Sequence, residues 1–153
     1  MKNISQNLLE NLRKYDTPTI VNSLELLDNK FRTSGFTTEQ LVCTDTSLPP
    51  IVGYARTATI SASNEIDQQK KRERSLAYYK YVSSGKGPWV SIIQDIDQNP
   101  GFGAFWGEGN SNIHKALGVT GVLTNGSVRD LDVISEGFQV LAGKSVRPML
   151  MYA

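Results

Sequence analysis

One stretch, Trp89 to Gly126, constrains this chain more than any other. Trp89-Val90-Ser91-Ile92-Ile93 is apolar and β-branched, the composition of a buried strand. Gln94 to Trp106 follows as a loop carrying Asp95, Asp97, Pro100, Gly101 and Gly103. Gly107-Glu108-Gly109-Asn110 then leads into a helical pattern that puts Ile113, Ala116 and Leu117 on one face. Gly118 suits the left-handed residue that ends a helix. Val119 to Thr124 reads as a second strand, stopped by Asn125-Gly126. Strand, helix and strand in that order make a βαβ unit, whose strands run parallel with a right-handed crossover.

That topology has a chemical consequence. The Gly107–Asn110 loop and the segment Asn125–Asp130 both leave the carboxyl ends of strands, so they share the sheet edge where open α/β sheets bind ligands. The amides of Gly107, Glu108, Gly109 and Asn110 stand at a helix N-terminus, a place for a phosphate or carboxylate. Arg129 adds a fork-shaped cation for a carboxylate or keto oxygen, and Asp130 a hard oxygen ligand. Together they point to a small anionic substrate and a divalent metal. Taken alone, Arg129-Asp130 also fits a surface ion pair in which Asp130 caps the next helix. Its position facing an amide-rich loop favours the site.

Other signals fit blander roles. Gly101-x-Gly103 followed by Gly107 and Gly109 lacks the spacing of the dinucleotide-binding fingerprint. His114, the only histidine, reads as a packed or solvated residue rather than a catalyst, and Asp95 and Asp97 read as turn residues. Lys70-Lys71-Arg72-Glu73-Arg74 mixes signs as a solvated helix face does. Tyr78, Tyr79 and Tyr81 suit the core or a subunit contact.

The remaining chain alternates in the same way. Residues 4–15 show helical spacing through Ile4, Leu8, Leu9, Leu12 and Tyr15. Asp16-Thr17-Pro18 starts a second helix, with Thr17 as N-cap and Pro18 at the first position. Asn29 to Pro50 is polar and reads as loop, Ile51 to Ile60 as strand, and Asn64 to Ser84 as helix. After Asp130, Leu131, Val133 and Ile134 suggest a short helix, and Phe138 to Ala142 another strand. Alternating helices and strands make the class α/β. The 153 residues suit one domain that buries roughly 70% of its unfolded surface. A net charge of +1 gives no argument for nucleic acid, membrane or an acidic partner. A single cysteine, Cys43, excludes an internal disulfide and suits an intracellular, cytoplasmic setting; no apolar run approaches transmembrane length.

At these residues the chain resembles the RraA-like family, which includes the 4-hydroxy-4-methyl-2-oxoglutarate aldolases. The run Gly118-Val119-Thr120-Gly121-Val122-Leu123-Thr124-Asn125-Gly126-Ser127-Val128-Arg129-Asp130-Leu131-Asp132 carries the resemblance. Phe105-Trp106-Gly107-Glu108 stands at the family's distance upstream, with Gln94-Asp95-Ile96-Asp97 before it. Asp16-Thr17-Pro18-Thr19-Ile20-Val21 and Val52-Gly53-Tyr54-Ala55 fit as well.

The resemblance implies a swivelling β/β/α domain over residues 1–153 with the βαβ unit at its centre, lacking the C-terminal strands of longer members. It implies a homotrimer or homohexamer with sites between subunits. It implies a lyase that cleaves 4-hydroxy-2-oxo acids to pyruvate with magnesium or manganese, often with oxaloacetate decarboxylation beside it. In such enzymes the Arg contacts pyruvate, the Asp binds the metal and the loop amides hold the carboxylate. Those roles fall on Arg129, Asp130 and Gly107–Asn110. The acidic residue usual three positions beyond the pair is Val133 here. Some relatives instead bind and inhibit ribonuclease E, and those lack the Asp that this chain has as Asp130. No lysine stands at an obvious Schiff-base position.

Overall fold

The computed structural model describes residues 4–145. Its strands are β1 (Val42–Cys43), β2 (Tyr54–Ile60), β3 (Trp89–Asp95), β4 (Val119–Val128) and β5 (Gln139–Ser145). Its helices are α1 (Gln6–Leu12), α2 (Thr17–Leu27), α3 (Gln68–Ser83) and α4 (Glu108–Ala116), with 3-10 turns at Asn29–Arg32 and Leu131–Val133. The strands form one sheet in the order β1-β5-β4-β3-β2. β2 to β5 are mutually parallel, and β1 is antiparallel on the edge of β5. The expected βαβ unit is β3-α4-β4.

Val82 of α3 packs with Trp89, Ile93, Trp106, Val119, Val122, Val128, Phe138, Val140 and Ala142, and Tyr78 and Leu117 join them. α3 and α4 therefore cover the same face. On the opposite face Ile92, Leu123 and Leu141 are only half-buried. A parallel sheet is normally covered on both sides.

Several boundaries differ from the sequence reading, each for a local reason. The strand expected from Ile51 begins at Tyr54, whose amide donates to Pro88 O at 2.9 Å. Pro88 has no N–H to carry the ladder further down. The strand expected to stop at Asn125-Gly126 runs on to Val128 through an irregularity between Thr124 and Ser127. There the Asn125 side chain stands in for a peptide group. Its Oδ1 accepts from Asp95 N at 2.7 Å and its Nδ2 donates to Asp95 O at 3.0 Å. The segment read as loop, Asn29 to Pro50, holds a 3-10 turn and β1.

The second helix is capped by Asp16, not Thr17: its carboxylate accepts from Thr19 N at 2.9 Å. Asp67 caps α3, so that helix starts later than Asn64. The first helix is shorter than residues 4–15, with its last turn tightened by Lys14 N to Asn11 O and Tyr15 N to Leu12 O. The helix expected after Asp130 is a single 3-10 turn, because Ile134 is already extended (ψ 140°). β5 begins one residue late and continues past Ala142. Met149-Leu150-Met151, read as an apolar tail, lies outside the described residues.

Candidate functional site

β4 outlasts β3, which leaves the end of β4 without a neighbour on that side. The chain fills the gap itself. After Asp95 it loops out and returns so that Trp106 forms a parallel bridge with Val128. Trp106 O accepts from Arg129 N at 2.9 Å. The outgoing loop is fixed from within: Asp95 Oδ2 accepts from Gly101 N at 2.7 Å, and Ser127 Oγ donates to Gly101 O at 2.9 Å. Asp97 takes N–H and O–H donors from Ser61, Ala62 and Ser63. The hydroxyls of Ser61 and then Ser63, with the Ala62 amide, pull its carboxyl down to about 2. Asp95 and Asp97 are turn organisers, as expected.

This clamp brings the two predicted halves of the site together. A Cβ placed on Gly107 would stand 2.9 Å from Asp130 Oδ2 and 3.2 Å from Arg129 Cγ, so a side chain there would push the Arg129-Asp130 pair away from the loop. From Gly107 the backbone turns into α4, and Ser111 N to Gly107 O at 3.0 Å closes its first turn. No side chain caps this helix, and among the described residues the amides of Glu108, Gly109 and Asn110 have no protein acceptor. Nothing lies within 4 Å of a Cβ on Gly109. These are unspent donors at the positive end of a helix, and Glu108 is exposed beside them.

Arg129 and Asp130 form an exposed pair, Arg129 Nε to Asp130 Oδ2 3.6 Å. The capping alternative for Asp130 fails, because its side chain makes no cap hydrogen bond. Its backbone is left-handed (φ 56°, ψ 44°), and no other non-glycine among the described residues has positive φ. Asp tolerates that conformation better than most residues, and such positions gather at functional sites. No group of three or more His, Cys, Asp or Glu could hold a metal among the described residues. A closed cage of the zinc type is therefore not what these residues make. One carboxylate with a free oxygen fits magnesium or manganese, which keep waters and take substrate oxygens. Two recesses, of about 560 and 240 Å³, lie elsewhere: their linings include Pro88, Thr120 and Val119, at the amino ends of β3 and β4. The candidate site is an open edge.

α4 docks by a face that the sequence did not indicate. Ile113 is 40% exposed, whereas Ser111 and His114 are fully buried. His114 is a packed residue. Nδ1 lies 2.7 Å from Asn110 O and Nε2 2.8 Å from Tyr78 Oη, and the ring centroid is 4.6 Å from that of Trp106. A carbonyl only accepts, so Nδ1 carries the proton and Nε2 accepts from Tyr78. Burial pushes the imidazole below its ordinary 6.5 and pushes Tyr78 up to about 12. The titratable groups facing His114 are Tyr78 and Tyr79. In the unfolded chain His114 gains its proton first as pH falls. Stability should therefore be level above pH 6.5 and fall below it, with a slope no steeper than about 1.4 kcal/mol per pH unit from this group. Urea midpoints between pH 7.5 and 5 check this, and His114→Gln should flatten that window.

Trp106, Asn125 and Ser111 were missed as organisers of the site. Only Trp106 left a signal, a large aromatic directly before the glycine loop.

With this geometry in view, the comparisons decide the family. A model of the RraA-like family, described as Aldolase/RraA, matches residues 17–149. The chain belongs to the RraA-like family. Among solved structures it is similar to Streptomyces coelicolor RraAS2, described as an unusual member of the RNase ES inhibitor RraA protein family. That match has a TM-score of 0.65 and 18% identity, and covers 94% of this chain and 66% of the other. It is also similar to a structure described under novel cellulases from microbes of the gut ecosystem, with a TM-score of 0.59 and 14% identity over 95% of this chain and 61% of the other. At such identities the likeness concerns the fold alone. The chain spans slightly under two-thirds of the length of both. No curated protein sequence matches it. Among the described residues no helix is long and apolar enough to cross a membrane.

Proposed function

We propose that this RraA-like chain is a divalent-metal-dependent carbon–carbon lyase that cleaves 4-hydroxy-2-oxo acids to pyruvate and also decarboxylates oxaloacetate. The observation that carries the reading is the approach of Gly107 to the Arg129-Asp130 pair, which sets free amides, a guanidinium and a carboxylate on one edge. The amides of Glu108 to Asn110 would hold the substrate carboxylate. Arg129 would place its planar fork against the same end of the substrate and keep a fixed positive charge there. Asp130 would hold magnesium or manganese, which when bound supplies a Lewis acid for the 2-oxo oxygen. In cleavage the 4-hydroxyl loses its proton and the C3–C4 bond breaks. Its electron pair is delocalised towards the 2-oxo oxygen, and protonation at C3 gives pyruvate. His114 is buried, neutral and engaged at both nitrogens, so it is not the base.

Incubation with magnesium and oxaloacetate or a 4-hydroxy-2-oxo acid tests this directly. Pyruvate should form faster than in a blank of metal and substrate. Rates equal to that blank would refute the activity for these substrates. A non-catalytic role as a ribonuclease-binding inhibitor is the second reading, favoured by the likeness to a member of the RNase ES inhibitor family. Recovery of a ribonuclease on the immobilised chain, with no pyruvate formed, would put it first.

The open edge fits a site completed by a neighbouring copy. Leu26 (87% exposed), Leu27 (81%) and Phe102 (81%) are apolar surface of the kind that copies cover. A homotrimer or homohexamer is expected by light scattering at micromolar concentration. A monomer there would contradict it.

A further inference from the structure

We propose that His114 is a positioning residue, whose imidazole ties the anion-binding turn of α4 to α3. The inference rests on the reading of Glu108–Asn110 as a carboxylate site. That turn has no side-chain cap, and its other side-chain ties, from Ser111 Oγ and Asn112 Nδ2, both end on Glu108 O within α4. Its cap residue is Gly107 and makes no side-chain bond, and Gly109 contributes no side chain. Such a turn should fray, and fraying would scatter the amides that a ligand needs.

The tie that refers it to another element comes from behind. His114 Nδ1–H donates to Asn110 O at 2.7 Å, inside the turn itself. Its other nitrogen takes the Tyr78 hydroxyl of α3 at 2.8 Å, so the turn is referred to an element packed on the sheet. Asn110 Nδ2 in turn donates to Phe105 O at 2.5 Å, beside the Trp106 carbonyl that receives Arg129 N. The imidazole thus stands one step behind both halves of the site, with its ring against Trp106. A buried polar ring is costly compared with an apolar one unless all its bonds are made. Here all are made, and one of them ends on the turn.

Three variants separate this role from simple packing. His114→Leu keeps bulk and loses both bonds. His114→Asn keeps an N–H at the position of Nδ1. Tyr78→Phe removes the outer bond only. Amide order parameters of Glu108–Asn110 should fall in the Leu variant from about 0.85 towards about 0.6, with β4 amides unchanged. The Kd for pyruvate with magnesium should rise about tenfold, the loss expected for one buried hydrogen bond. The Asn variant should recover most of both, and the Phe variant should lie between. Order parameters and affinity in the Leu variant equal to the parent's would overturn the proposal. Should Leu not fold, recovery in Asn set against the intermediate Phe decides it. If the parent itself fails to bind pyruvate, the carboxylate reading falls, while the order parameters still decide what His114 holds.

Discussion

Trp106→Ala is expected to lower the unfolding free energy by about 3–5 kcal/mol, the range for truncating a fully buried large aromatic. The ring is at 0% exposure and belongs to the main hydrophobic cluster. It packs 4.6 Å from His114 and 5.9 Å from Phe138, centroid to centroid. Its own carbonyl holds Arg129 N, and Val128 pairs beside it. Loss of the ring should therefore cost the site as well as the core. Phe102→Ala, four residues away on the same loop, should change stability by no more than about 0.5 kcal/mol, because that ring is 81% exposed. Urea unfolding of the two variants makes the comparison. A Trp106→Ala cost below about 1 kcal/mol would mean that the clamp is held by hydrogen bonds alone.

Asp130→Asn is expected to fold as the parent does and to lose most turnover, about a hundredfold or more, the scale for removing one preorganised charge contact. Two features make Asn the right probe. It tolerates the left-handed backbone seen at this position, so the chain should not be strained. The Asp130 side chain caps nothing, so no cap is lost. What changes is the charge available to a divalent cation. Arg129→Lys should reduce turnover too, since a point charge cannot reproduce the planar fork. Its effect on stability should be small, because the pair is exposed.

The βαβ unit was legible because its strands are written in β-branched runs and its helix ends on a glycine. Topology then placed Gly107 and Arg129 on one edge with no tertiary information. Asn125-Gly126 misled because the same two residues that signal a turn can also bridge a break in a ladder, with a side-chain amide replacing a peptide. The buried face of α4 misled for a different reason. Apolar spacing pointed to Ile113, yet the helix docks through Ser111 and His114, whose polar atoms are all paired inside. Such pairing depends on Tyr78 and Ser135, distant in sequence, and leaves no periodic trace. The antiparallel β1 was hidden likewise, being two residues long and held by β5.

Asp130 and the amides of Glu108–Asn110 are proposed to form one metal-assisted site for a 2-oxo acid. Pyruvate release measured against magnesium concentration, for the parent and for Asp130→Asn, tests it most directly. A parent rate that climbs with magnesium to saturation above the protein-free blank, with the variant close to that blank, is the predicted result. Superimposable curves for the two proteins would contradict it.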